Sequence, residues 1–338
     1  MNKILVTGGA GYIGSHTVVE LQKSGFEVIV VDNLSNSYAS VIDNIRKITG
    51  KKPVFEILDL KDDERTGNFF GRHTDIGGII HFAAYKAVGE SVADPLKYYE
   101  NNISSLVNIL KAMKKFKLDN LVFSSSCTVY GQPEILPVTE NAPVQKAMSP
   151  YGHTKQISED IINNVCAVEP VHGILLRYFN PIGAHESALI GELPIGIPNN
   201  LVPFITQTAA GIRDYLRVFG DDYNTPDGTA IRDYIHVVDL AKAHVAAVNR
   251  LVKGMNKKNV EIFNLGNGLG FSVLEVIRSF EKMSGVKLNY KIVDRRPGDV
   301  EKVWADTTFA NIELGWKAEK NLDDMTLSAW KWELALKK

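Results

Sequence analysis

Cysteine is nearly absent from this 338-residue chain: Cys127 and Cys166 are its two thiols, each beside small or apolar residues. A disulfide-stapled framework is thereby excluded, and the pair reads as reduced core thiols of a cytoplasmic protein. Charge of one sign is lacking too, with 38 Lys and Arg against 39 Asp and Glu. No broad field steers the chain toward nucleic acid or an anionic membrane, so an anionic ligand would have to be gripped by local groups. No apolar run approaches the roughly 18 residues of a membrane span, and no charged segment leads into an apolar signal core. The expected location is the cytoplasm. The eight histidines are scattered, none at ligand spacing from another histidine or a cysteine, so no metal site is expected. His81, His153 and His236 read as core or first-turn residues.

What is present is a 45% apolar share, enough for a substantial core in one large domain or two ordinary ones. Short apolar runs at residues 4–6, 28–31, 54–58, 79–82, 121–124 and 173–177 alternate with stretches of helical length. Continuous apolar runs such as 4–6 and 28–31 suit strands buried on both faces, and the alternation gives an α/β fold class with a doubly wound parallel sheet of six strands. From about residue 181 to 200 the texture turns to glycine, proline and polar residues. The expected division is therefore a dinucleotide-binding domain at 1–180 and a smaller α/β substrate domain at 181–338. The second part contains strands at 216–219, 262–265 and 288–292 and helices at 237–252 and 272–284, some of them free to pack back on the first. The basic cluster Lys111, Lys114, Lys115 and Lys117 is expected at a helix end, where cations favour the macrodipole.

Directly after the first strand, Gly8, Gly11 and Gly14 stand three apart and open a helix. Glycine permits the tight turn and lets backbone N–H groups approach a pyrophosphate at the positive helix end. Asp32 closes the second strand, where a carboxylate can accept both hydroxyls of an adenosine ribose and would repel a 2′-phosphate. This is the pattern of a Rossmann fold that binds NAD in preference to NADP. Asp32 read alone could equally cap the turn through Asn33 and Ser35.

Tyr151 and Lys155 follow Pro150 four residues apart, a spacing that puts phenol and ammonium on one helix face. An ordinary phenol ionises near pH 10, too high for a base at neutral pH, and a neighbouring cation lowers that value. Ser124-Ser125-Ser126 ends the fifth strand at the carboxyl edge of the sheet, where a serine hydroxyl can hydrogen-bond a reacting oxygen. Serine runs also commonly cap turns.

The Gly-Gly-Ala-Gly-Tyr-Ile-Gly opening at 8–14, Ser-Ser-Ser-Cys-Thr-Val-Tyr-Gly at 124–131 and Ser-Pro-Tyr-Gly-His-Thr-Lys at 149–155 resemble the extended short-chain dehydrogenases. Within them, the segments at 32–37, 81–91, 177–180 and 228–236 are similar to UDP-galactose 4-epimerases, over nearly the whole chain. The resemblance implies an NAD-dependent isomerase of nucleotide-sugar metabolism, commonly a homodimer, working through a 4-keto intermediate. It implies NAD contacts at Tyr12, Ile13, Asp32, Asn33, Asp59, Leu60, Phe82, Ala83, Lys86, Asn101, Ser126, Tyr151, Lys155 and Phe179. The UDP-sugar would be held by Asn180, Asn200, Leu201, Phe219, Arg232, Arg296 and Asp299, besides Ser126 and Tyr151. Val303 would line the pocket near the sugar's 2-substituent, where some members carry a bulky tyrosine, so an N-acetyl group would fit. Ala84-Tyr85 and Cys127 depart from the family's usual glycine-leucine and alanine, and neither change removes a reacting group. Other chemistries of the same class, such as dehydration, uronate epimerisation or net oxidation, stand as alternatives. Dehydratases typically place an acidic pair beside the serine, where this chain has Cys127-Thr128. A ligand sensor without chemistry is the remaining alternative, and the presence of Ser126, Tyr151 and Lys155 together speaks against it.

Overall fold

Strands form where the apolar runs stand, and the inner runs are buried on both sides because their residues alternate between two separate helical layers, whereas the edge strand at 54–57 leaves Val54 and Ile57 exposed. The structure, a computed structural model, describes residues 3–296 and 299–337. The first half runs β1 (Lys3–Thr7), α1 (Tyr12–Lys23), β2 (Glu27–Asp32), α2 (Ser40–Thr49), β3 (Val54–Ile57), α3 (Asp63–Arg72) and β4 (Ile76–His81). It continues through α4 (Val88–Ala93), α5 (Pro95–Phe116), β5 (Asn120–Ser124), α6 (Pro150–Val168) and β6 (His172–Tyr178). Ile4, Val6, Val28 and Val30 pack toward α1 and α2, whereas Leu5, Ile29 and Val31 pack toward α3, α5 and α6. Successive strand residues point to opposite faces, so an unbroken apolar run fills both layers.

The second half contains β7 (Asn180–Ile182), α7 (Leu201–Ala209), β8 (Leu216–Phe219), β9 (Ile231–His236), α8 (Val237–Val252) and β10 (Val260–Leu265). After these come β11 (Gly270–Ser272), α9 (Val273–Ser284), β12 (Tyr290–Val293), β13 (Lys302–Val303) and α10 (Leu322–Ala335). The main sheet has seven strands in the order β3-β2-β1-β4-β5-β6-β10, all parallel, one more than the six expected. The seventh comes from the half expected to form the substrate domain. Its connection explains why: α8 buries Leu240, Ala243, Ala247 and Val248 in the same layer as α1, and this crossover carries the chain back beside β6.

β9 is paired with β7, β11 and β13, and β8 pairs with β12; α7, α9 and α10 share a core with them. The expected basic helix end is the last turn of α5, where Lys117 adopts the left-handed capping conformation. His81 ends β4, His153 lies in the first turn of α6, and His236 caps α8 through Val238 N–H at 3.1 Å. Both cysteines are free, Cys166 in the core and Cys127 half-buried. Among the described residues no helix is long and apolar enough to cross a membrane.

One buried side chain ties the two sheets together. The Asp233 carboxylate on β9 accepts from the amides of Asn267 (2.7 Å), Gly268 (3.1 Å) and Ala305 (3.0 Å), fixing the turn after β10 and the segment after β13. Asp233→Ala would leave these donors without a partner, at about 1–3 kcal/mol for each that stays dry. The urea midpoint of the variant should fall clearly, and an unchanged midpoint would contradict this role.

Candidate active site

The sheet order reverses between β1 and β4, and α1 starts at that point with Gly11 as its N-cap and no side chain capping it. Its first N–H groups are therefore open to an anion. Gly8 has a φ of +68°, and a Cβ at Gly14 would lie 2.2 Å from the Gly8 carbonyl oxygen, so the turn closes around bare backbone. Asp32, buried at the end of β2, accepts from Ala10 N–H at 3.0 Å, and from Leu34 N–H and the Ser37 hydroxyl at 2.9 and 2.8 Å. It both caps its turn and faces the glycine loop, so the two readings of this residue coexist.

A cavity of about 470 Å³ runs from this loop along the carboxyl edge of the sheet. Of the residues expected at the cofactor, Gly8, Gly11, Tyr12, Ile13, Gly14, Asp32, Asn33, Asp59, Leu60, Phe82, Ala83, Lys86, Asn101, Tyr151 and Lys155 line it, as do Ala84 and Tyr85. Asn200, expected at the sugar, reaches the same cavity. Ser126 and Phe179 do not line it; both are buried beside it.

At the inner end, α6 begins with Pro150 after the Ser149 cap, whose hydroxyl accepts from Gly152 N–H at 3.1 Å. This sets Tyr151 and Lys155 on consecutive turns against the end of β5. The Lys155 ammonium donates to the Ser124 carbonyl at 2.6 Å and lies 5.9 Å from the centre of the Tyr151 ring. Burial pulls its pKa down to about 8, opposed by the attraction of Glu159. The Tyr151 phenol is pushed well above its ordinary value by burial, against the hydrogen-bonding pull of Ser126. The sequence-based expectation of a lowered phenol is therefore corrected: loss of hydration is the largest influence on it within the folded chain. Ser126 also caps the short turn Cys127–Tyr130 through Thr128 N–H at 3.2 Å, so it too serves two purposes.

A second group gathers around β9 and β13. Arg232 and Arg296 share one oxygen of Asp299, at 2.7 and 3.3 Å, and Arg296 lies 5.7 Å from the Phe219 ring centre. Pro297 and Gly298, in the same segment, lie outside the described residues. Arg232 is near enough to Cys127 to offset part of the burial that pushes that thiol up to about 12. Val303, expected to line the pocket, does not reach the cavity: it pairs in register with Arg232 and packs in a small core with Val129, Tyr130 and Phe179. Asn180 donates to the Asp233 carbonyl at 2.9 Å, and Leu201 begins α7. The two groups thus approach one another around Ser126 and Cys127.

Several side chains of this region are not among the expected ones. Glu192 accepts from Lys86 and Asn200, at 3.2 and 2.6 Å, and the indole N–H of Trp332 holds its carbonyl at 3.0 Å. Tyr178 shares a 2.8 Å hydrogen bond with Ser124. Glu159 and Arg177 form a buried bidentate pair behind Lys155. Only Glu159 carried a local sign, standing four residues beyond Lys155 on the same helix face.

A parallel sheet with an uncapped glycine-rich helix start at its switch point, and a Ser, a Tyr and a Lys buried beside it, defines a dinucleotide-dependent short-chain dehydrogenase/reductase architecture. The model of the family described as GDP-mannose 4,6 dehydratase matches residues 5–328. The UDP-glucose 4-epimerase of Bacillus subtilis is 50% identical over 331 residues, covering 98% of this chain and 96% of that protein. The crystal structure of UDP-glucose 4-epimerase from Stenotrophomonas maltophila, with bound NAD and formylated UDP-arabinopyranose, aligns with a TM-score of 0.96 at 49% identity, covering 100% of this chain and 99% of that one. The Bifidobacterium longum enzyme, in complex with NAD+ and UDP, aligns with a TM-score of 0.94 at 47% identity, covering 99% and 98%. The chain belongs to the UDP-glucose 4-epimerase family of the extended short-chain dehydrogenases/reductases.

Proposed function

We propose that this chain is an isomerase that interconverts UDP-galactose and UDP-glucose through a 4-keto sugar, with NAD as its resident cofactor. The observation that carries this reading is the joint burial of Tyr151 and Lys155 at one end of a cavity whose other end is the α1 start and Asp32. The residues fit NAD: the open N–H groups of α1 suit a pyrophosphate, and the Asp32 carboxylate suits unmodified ribose hydroxyls. When bound, NAD supplies a reversible hydride acceptor for sugar carbon 4.

The remaining work falls to side chains of this chain. Tyr151 as phenolate takes the proton of the sugar 4-hydroxyl and later returns it, while Ser126 hydrogen-bonds the reacting oxygen. Lys155 stabilises the phenolate and holds the nicotinamide ribose. Arg232 and Arg296 grip the diphosphate, a task for guanidinium forks in a chain of net charge −1. Asn180, Asn200, Leu201, Phe219 and Asp299 complete the UDP-sugar site, and Phe179 would contact NAD. The uridine end stays anchored while the 4-ketose turns over to recover the hydride on its other face. Dehydration is disfavoured by Cys127-Thr128, which puts no acid beside Ser126.

The division near residue 180 separates the cofactor role from the sugar role, with α8 and β10 returned to the cofactor side. The protein acts in the cytoplasm as a homodimer. Val92 and Leu96, exposed at the junction of α4 and α5, suit such a contact, and sedimentation of the purified protein checks it.

Tyr151→Phe should keep NAD and UDP bound while turnover falls by roughly the 10²–10⁴-fold of general acid–base catalysis. Near-native turnover in that variant would remove Tyr151 from the chemistry. Val303 bears on sugar range: valine lacks the ring volume of a tyrosine, so UDP-GlcNAc and UDP-GalNAc should interconvert as well. Val303→Tyr should suppress that reaction and spare UDP-galactose; absence of N-acetyl turnover in the native enzyme would show that Val303 is no gate.

A further inference from the structure

Residues 151, 155 and 159 lie four apart on α6 and so share one face of that helix. Each meets a different residue of the serine run that ends β5. Lys155 donates to the Ser124 carbonyl, the Ser125 hydroxyl donates to Glu159, and Ser126 lies beside Tyr151. Glu159 is buried at 5% exposure, and its two oxygens accept from Arg177 on β6, at 3.0 Å from Nε and 2.6 Å from the terminal nitrogen. Arg177 in turn stacks over the Tyr130 ring at 4.8 Å. The reading of Tyr151 as base does not by itself require this pair, and two buried charges need a reason to stay.

We infer that Glu159, clamped by Arg177, is a positioning residue for the acid–base pair, supplying the counter-charge that keeps Lys155 an ammonium and pinning the strand end that carries Ser126. This rests on the reading of Tyr151 and Lys155 given above. The other titratable groups facing this centre are neutral in the working range. His81 on β4 is pushed down to about 3 by burial and by Lys155, while burial pushes Tyr178 on β6 and Cys127 up to about 12. Burial raises Tyr98 on α5 and Tyr151 itself further still. Arg177 faces Glu159 from β6 and is spent on it. Among the described residues, Glu159 is thus the negative charge that Lys155 feels, opposing the desolvation that would otherwise strip its proton.

The test is the pH profile of kcat/KM for UDP-galactose in the NAD-loaded enzyme, whose alkaline limb follows loss of the Lys155 proton. In Glu159→Gln the limb should move to lower pH, by about one unit for a charge removed one helical turn away. Glu159→Asp, which keeps the charge, should restore most of it. Because Glu159→Gln strands the Arg177 cation and can fail to fold, the double variant Glu159→Gln with Arg177→Met decides, with a shift in the same direction and smaller. A native limb in the double variant overturns the inference, even where its thermal stability is altered, since a purely structural pair would change stability alone. Lys155→Met run in parallel keeps the underlying reading separate: it should lower turnover and move the optimum upward. A native profile there would sink the Tyr151–Lys155 reading itself, whereas a changed one beside a native Glu159 profile sinks only this proposal.

Discussion

Everything at the reactive centre depends on placing a phenol and an ammonium together in a dry pocket at the end of β5. Burial raises the affinity of Tyr151 for its proton and lowers that of Lys155 for its own, the latter to about 8. Both shifts disfavour the charged forms that proton abstraction requires. A working site must therefore bring compensating charge and hydrogen bonds within reach of the same few atoms. The Ser124 carbonyl, the Ser126 hydroxyl and Glu159 are the compensation the chain supplies, and a bound nicotinamide cation would add to it. The sheet makes this possible because β5 is covered on both faces, leaving its carboxyl end as the place where three successive serines meet one face of α6.

Anion binding obeys the same economy. A chain with balanced charge has no long-range field to gather a dinucleotide and a nucleotide sugar, so each must find fixed local donors. The uncapped start of α1 serves one and the Arg232–Arg296 fork serves the other. Asp299 bridges the two guanidiniums, which limits their mutual repulsion and holds Arg296 near Phe219. Asp233, next in the chain to Arg232, locks the backbone on which this fork stands.

Local signals in the sequence covered much of this. The short apolar runs marked six strands of the main sheet, the spacing of Gly8, Gly11 and Gly14 marked the turn, and the four-residue interval marked Tyr151 and Lys155 as neighbours. The seventh strand had a visible pattern at residues 262–265, but a run of apolar residues does not say which sheet it joins; that follows from α8 packing on α1. Asp32 and Ser126 each looked like either caps or ligand groups, and the fold uses them as caps in positions that also face the site. The direction of the Tyr151 shift was hidden because spacing reports a neighbour's charge and says nothing of how dry the pocket is. Glu159 shows its helix face by spacing alone, but its pairing with Arg177 between α6 and β6 is visible only once the sheet is assembled.

In the proposed cycle NAD stays with the protein and is restored at each turnover, while Tyr151 moves the proton. The most direct measurement is incubation of the purified protein with UDP-galactose in the absence of added nucleotide, followed by separation of the nucleotide sugars. UDP-glucose should accumulate to an equilibrium mixture with no net NADH released. Persistence of UDP-galactose alone, or turnover that proceeds only with stoichiometric consumption of added NAD, would contradict it.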